Sequence, residues 1–117
     1  MLSVSRTVKI FLARDPADMR KSFDGLAALV AGVLEVDPLS GNLFLFRNKR
    51  ADRVKLLYWD QDGYALWYKR LEAGTFRFPA ADHQAASVTI SPADLAMLLD
   101  GVDLASVRRR KRYQRSV

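Results

Sequence analysis

Residues 42–71 read Asn42-Leu-Phe-Leu-Phe-Arg47, Asn48-Lys-Arg-Ala-Asp52, Arg53-Val-Lys-Leu-Leu-Tyr-Trp59, Asp60-Gln-Asp-Gly63 and Tyr64-Ala-Leu-Trp-Tyr-Lys-Arg-Leu71. Three aromatic and aliphatic runs are separated by two clusters of Asn, Asp, Gly and charged residues, so the segment predicts an antiparallel β-meander. Symmetric closure of both turns pairs Arg47 with Arg53 and Trp59 with Tyr64. In that register one face carries Phe44, Phe46, Val54, Leu56, Ala65 and Trp67. The other carries Leu43, Leu45, Arg47, Arg53, Lys55, Leu57, Trp59, Tyr64, Leu66, Tyr68 and Arg70, apolar near the Asp60–Gly63 turn and basic at its far end. Arg47, Arg53 and Arg70 then line up on neighbouring strands, where like charges cost stability unless an anion or an acidic segment lies among them.

Upstream, Thr7 to Ala13 is β-branched and alternating enough for an opening strand. Asp15, Pro16 and Asp18 form a helix-start signal, a capping carboxylate followed by proline and a further acid near the free N–H groups. Met19, Phe23, Leu26, Ala27, Val30, Val33 and Leu34 recur at spacings of three and four, which predicts one stripe down a helix of about five turns. Arg20, Lys21 and Asp24 fall outside the stripe, and Asp37-Pro38-Leu39-Ser40-Gly41 stops it. Downstream, Thr75–Phe78 and Ser87–Ile90 are candidate edge strands. Ser91-Pro92-Ala93-Asp94 starts a short second helix with Leu95, Leu98 and Leu99 on one side and Gly101 at its end. The expected fold class is therefore α+β: an antiparallel β-meander sheet of four to six strands packed on one long helix, with a short C-terminal helix and a basic tail.

The chain has 117 residues and a formal charge of +6, and that charge is unevenly placed. Residues 1–46 carry five bases and five acids, 47–77 eight and four, 78–105 no base and four acids, and 106–117 six bases and no acid. The reading is a single domain over 1–105 and a flexible cationic tail over 106–117 that suits a polyanion partner. The absence of cysteine excludes disulfides and thiolate metal sites. The longest apolar run, Leu26–Leu34, falls well below the ~20 residues of a bilayer span and no signal segment is evident, so a cytoplasmic protein without a membrane partner is expected.

Asp18-Met-Arg-Lys-Ser-Phe-Asp-Gly-Leu26, Asp37-Pro38 with Ser40-Gly41, Phe46-Arg-Asn48, Lys55-Leu-Leu-Tyr-Trp-Asp60, Asp62-Gly63 and Leu66-Trp-Tyr-Lys-Arg-Leu71 occur in that order. Together they resemble the accessory protein, called TnpB or the second open reading frame, of bacterial insertion sequences of the IS66 family, over roughly residues 1–80. The resemblance implies a small protein encoded beside a separate, larger transposase and needed for movement of the element, with no established catalytic site of its own; the function expected is that of a non-enzymatic accessory factor. The role of the tail does not follow from it.

Two groups of residues are candidates for DNA contact. The tail supplies Arg108, Arg109, Arg110, Lys111, Arg112 and Arg115, whose contacts to phosphate would be salt-dependent and largely blind to sequence. The basic end of the meander supplies Arg47, Lys49, Arg50, Arg53, Lys55 and Arg70, with Trp59, Tyr64 and Tyr68 as a possible stacking surface. Against this stands self-neutralisation, in which the acidic stretch 78–105, with Asp94, Asp100 and Asp103, folds over that face. Asp52, Asp60 and Asp62 are explained by turn chemistry rather than by a metal-dependent nuclease, and His83 has no companion nucleophile. No catalytic residue, metal or cofactor is expected. The element's transposase is a second expected partner, through the Asp18–Leu26 face or the Trp59/Tyr64 surface, and a free sheet edge leaves room for a homodimer.

Overall fold

The computed structural model describes residues 7–79 and 84–101. Its elements are β1 (Ile10–Ala13), α1 (Phe23–Leu29) continued by a π-helical turn (Val30–Leu34), β2 (Leu43–Arg47), β3 (Arg53–Asp60), β4 (Gly63–Arg70), β5 (Ser87–Ile90) and α2 (Pro92–Leu99). Five strands form one sheet in the order β4-β3-β2-β1-β5. All pairs are antiparallel except β1 with β2, whose parallel pairing requires a crossover that α1 provides. The α+β class and the meander are as the sequence predicts. The inner placement of β1 and its parallel partner are not.

The register between β3 and β4 follows the sequence reading, with Trp59 opposite Tyr64 and Arg53 opposite Arg70. Between β2 and β3 it differs by one residue: Arg47 lies opposite Val54, and Phe44 opposite Leu57. Asn48 is the physical reason. Its backbone N–H donates to the Arg53 carbonyl (3.2 Å) and its side-chain Oδ1 accepts from the Arg53 N–H (3.0 Å), so the loop closes at Asn48 and Arg53. Ala51, at φ 60°, completes the turn.

Because strand side chains alternate, a one-residue shift exchanges the faces of β2 relative to β3. Phe44 and Phe46 therefore share a face with Leu57, Tyr64 and Leu66, packed by Leu26, Ala27, Val30 and Leu34 of α1 and its π-helical turn. Leu43 and Leu45 share the other with Val54, Leu56 and Trp67, covered by Leu95, Leu98 and Leu99 of α2. The core thus has two layers, one on each side of the sheet. Each fully buried Leu or Phe contributes roughly 1.5–3 kcal/mol.

The long helix is a correction. Only twelve residues, Phe23–Leu34, are helical, seven in α1 and five in the π-helical turn. Residues 15–22 are held otherwise: the Ala17 N–H bonds the Arg47 carbonyl at 2.8 Å, and Asp18 makes a local turn with Lys21. The Lys55 ammonium takes the carbonyls of Met19 and Lys21, each at 2.7 Å, out of any helical ladder. The wider turn at Val30–Leu34 rotates the stripe, so Val33 is 49% exposed while Leu34 is buried. Phe23, at the helix start, is also exposed.

The second helix forms as its sequence predicts: the Ser91 hydroxyl accepts from the Asp94 N–H at 3.0 Å, Pro92 opens the helix, and Gly101 follows it at φ 83°. Ser87–Ile90 is an edge strand. Thr75–Phe78 is not a strand; it is irregular chain pinned by the Phe76 N–H on the Ala51 carbonyl (2.7 Å) and by burial of the Phe76 ring. Among the described residues no helix is long and apolar enough to cross a membrane.

Lys55 is 6% exposed, with its ammonium on two carbonyls and 4.7 Å from the centre of the Tyr68 ring. Burying a charge is tolerable only with such partners. Lys55→Met keeps most of the volume but deprives both carbonyls of their donor, and is expected to lower the unfolding free energy by about 1–3 kcal/mol in urea denaturation. An unchanged midpoint would show that the latch is not formed in solution.

Candidate nucleic-acid interface

The end of the sheet where β2 leaves and β3 begins is built on the Asn48–Arg53 loop. Asn48 also donates from Nδ2 to Asp52 Oδ1 (2.6 Å), while the Asp52 carbonyl accepts from the Leu71 N–H (2.8 Å). These bonds fix the loop and project Lys49 and Arg50 into solvent. Arg53, at the start of β3, lies opposite Arg70, at the end of β4, on the α1 side of the sheet. An Arg53 guanidinium nitrogen donates to the Tyr68 hydroxyl at 3.2 Å, and Arg70 pairs with Glu72 at 2.9 Å. Arg77 is exposed and follows Phe76, which is bonded to the same loop.

Lys49, Arg50, Arg53, Arg70 and Arg77 thus meet at one end of the sheet, with Asp52 and Glu72 as the nearby carboxylates. Asp52 is held ionised below its ordinary value, chiefly by the Asn48 hydrogen bond and further by Arg50 and Arg53. The sequence reading missed Arg77, because nothing in the local pattern reveals that Phe76 ties its segment to the loop.

Two other candidates are placed differently from the expected row of arginines. Arg47 sits on the α2 face, not beside Arg53 and Arg70; its guanidinium donates to the Arg14 carbonyl (3.1 Å) and stands 5.6 Å from the Phe78 ring centre. The register shift accounts for this. Lys55 is on the Arg53 face but buried as the latch described above. Self-neutralisation by the second helix is also corrected: α2 covers the apolar face formed by Val54, Leu56 and Trp67, opposite the face of Arg53 and Arg70. Asp82, His83, Asp103 and the tail cations Arg108, Arg109, Arg110, Lys111, Arg112 and Arg115 lie outside the described residues.

The aromatic residues divide between the two ends of the hairpin. Trp59 and Tyr64 pack edge to face at 5.2 Å beside the Asp60–Gly63 turn. Tyr68, 47% exposed, is four residues away along β4, roughly 13 Å, at the basic end. Asp60 and Asp62 belong to the tight turn, where the Asp62 N–H bonds the Asp60 carbonyl and Gln61 takes φ 60°. Among the described residues no three His, Asp or Glu side chains are grouped to hold a metal ion.

Arg20 and Lys21 are exposed, as is Asp24, in keeping with positions outside the apolar stripe. The sequence offers Asp18 and Asp24 as ion-pair partners of Arg20 and Lys21, with helical spacing to Asp24. Residues 18–22 are not helical, and Arg20 pairs with Asp18 at 2.7 Å.

A model of the family described as IS66 Orf2 like protein matches residues 8–109. Two relatives from Sinorhizobium fredii (strain NBRC 101917 / NGR234) are similar along most of their length. The uncharacterized protein y4jC is 40% identical over 110 residues, covering 94% of this chain and 92% of its own. The uncharacterized protein y4hO is 40% identical over 103 residues, covering 88% of each. No solved structure matches the chain. Fold and pattern therefore define a small α+β protein with a five-stranded, mostly antiparallel sheet. The chain belongs to the IS66 Orf2-like family, which associates it with insertion sequences and an accessory role in transposition. The match reaches beyond residue 80, where the sequence reading ended the resemblance, through α2 to Arg109.

The Arg20 guanidinium holds the Asp18 carboxyl at about 2, below the ordinary 3.8. Since the folded value is depressed, the pair's stabilisation is present above 3.8 and is lost as pH falls toward 2. Carboxyl NMR titration is expected to place the Asp18 midpoint near 2 in the wild type and closer to 3.8 in Arg20→Ala. Equal midpoints would contradict the pair.

Proposed function

We propose that this protein is a non-enzymatic accessory factor of transposition. It grips the element's DNA by phosphate contacts from Lys49, Arg50, Arg53, Arg70 and Arg77 together with the cationic segment Arg108–Arg112 and Arg115, and assists a separate transposase. The observation that carries this reading is the convergence of these cations at one rigid end of the sheet, with Arg53 and Arg70 on the face that α2 leaves uncovered. Arginines presented on a fixed scaffold can fork onto phosphate oxygens with little further loss of side-chain freedom.

The position of the second helix adds support. Lys69 Nζ donates to the Leu99 carbonyl at 3.1 Å, which brings the C-terminal end of α2 to the same end of the hairpin. Arg108 follows Gly101 by seven residues, a span of roughly 25 Å at full extension. The tail cations therefore lie within reach of the same stretch of nucleic acid. Contacts of this kind are electrostatic and mainly insensitive to sequence.

A second reading is a protein-interaction adaptor that binds the transposase without direct DNA contact. The exposed Phe23 and Val33 on the α1 side of the sheet favour it. A pull-down with purified transposase after nuclease treatment separates the readings, because an association bridged by DNA disappears.

The test is affinity for duplex and single-stranded DNA across a salt series, using the full chain, a chain lacking residues 106–117, and Arg50→Glu/Arg53→Glu. Both alterations are expected to weaken binding, and each lost phosphate contact flattens the log–log salt slope on duplex by roughly 0.9. Unchanged affinity and slope in both would refute the proposal.

A further inference from the structure

We propose that the outer edge of β4 is a self-association surface, on which a second copy of this chain pairs antiparallel to form a sheet continuous through both subunits. The strand is terminal in the sheet order, eight residues long and free of proline. Its outward backbone groups can be assigned. The Leu71 N–H bonds the Asp52 carbonyl in the hairpin. Alternation of the antiparallel ladder then turns the N–H and C=O groups of Tyr64, Leu66, Tyr68 and Arg70 away from β3. Among the described residues none of these groups meets another strand.

Most edges of this kind carry a protecting charge or proline in the middle. Here the central residues Tyr64 to Tyr68 are uncharged, and the charges sit at the two ends with opposite sign. The turn end holds Asp60 and Asp62; the far end holds Lys69 and Arg70, with Arg53 opposite Arg70 and Glu72 paired to it, and is net cationic. Parallel alignment of two copies sets like charges together, whereas antiparallel alignment sets each acidic turn beside the other copy's basic end.

Symmetry narrows the register further. A twofold axis perpendicular to the sheet must relate residues pointing to the same face, so paired numbers differ by an even count. Centring the axis on Leu66 places Leu66 against its own copy, Tyr64 against Tyr68, and Asp62 against Arg70. Tyr64, Leu66, Tyr68 and Arg70 are outward-facing backbone positions, Asp62 contributes only its side-chain charge from the turn, and the three pairs between Tyr64 and Tyr68 would form about six hydrogen bonds. Moving the axis to Trp67 would instead set Tyr64 against Arg70 and leave Asp62 without a cation.

This inference does not depend on DNA binding, and its test uses nucleic-acid-free protein. Sedimentation equilibrium of the full chain is expected to give twice the chain mass, falling toward the monomer in Asp62→Arg and in Arg70→Asp. Mixing those two variants is the decisive arm, because each restores the opposite charge to the other at both ends of the interface. A mixed dimer is expected, and it excludes misfolding as the reason the single variants separate. A monomeric wild type, or a wild-type dimer that neither charge reversal weakens, would overturn the proposal.

Discussion

The pairing of Phe44 with Leu57 is the constraint on which the rest of the molecule depends. It assigns the side chains of β2 and β3 to their two faces, and so decides what α1 and α2 each cover. Asn48 sets it by acting as a surrogate strand residue: backbone and side chain together bind both polar groups of Arg53. With the alternative pairing of Arg47 and Arg53, Phe44 and Phe46 would join Val54 and Leu56, and the buried sets on both faces would be exchanged. The loss would extend over several fully buried side chains, each worth roughly 1.5–3 kcal/mol.

The same register leaves one end of the sheet charged. Arg53 and Arg70 stand opposite each other, where uncompensated like charges destabilise a strand pair. The molecule relieves this locally by placing a tyrosine hydroxyl on Arg53 and Glu72 on Arg70. Solvent-exposed pairs of this type are weak and easily exchanged, which is compatible with the anion contacts proposed above. Lys55 is different in kind. Its ammonium is enclosed and holds the segment before α1 in place, so its charge serves the fold.

Much of the architecture was legible in the residues. The hydrophobic runs and turn clusters of 42–71 identify the meander, and the Asp60–Gly63 turn gives the correct β3–β4 register because its loop is short. The Ser91-Pro92 start and Gly101 stop define α2 for equally local reasons. What stayed hidden was tertiary. The apolar spacing from Met19 to Leu34 is helical throughout, yet its first part is unwound by bonds to Arg47 and Lys55, residues far away in sequence. The β2–β3 register turned on an amide side chain replacing a backbone partner, a detail that composition does not encode. Arg77 reached the basic end only because Phe76 is anchored to the loop. Lys49, Arg50, Arg53 and Arg70 were identifiable as one cluster, since the hairpin alone brings them together.

Membership of the IS66 Orf2-like family gives this arrangement its context, and in the function proposed above the rigid cationic end is the means of holding DNA. The most direct measurement is amide chemical-shift mapping of the isotopically labelled full chain during titration with duplex DNA at low and high salt. The account predicts perturbations concentrated at Lys49, Arg50, Arg53 and Arg77 and at the C-terminal cations, collapsing together as salt rises. Perturbations confined to the α1 side around Phe23 and Val33, or none at low salt, would contradict it.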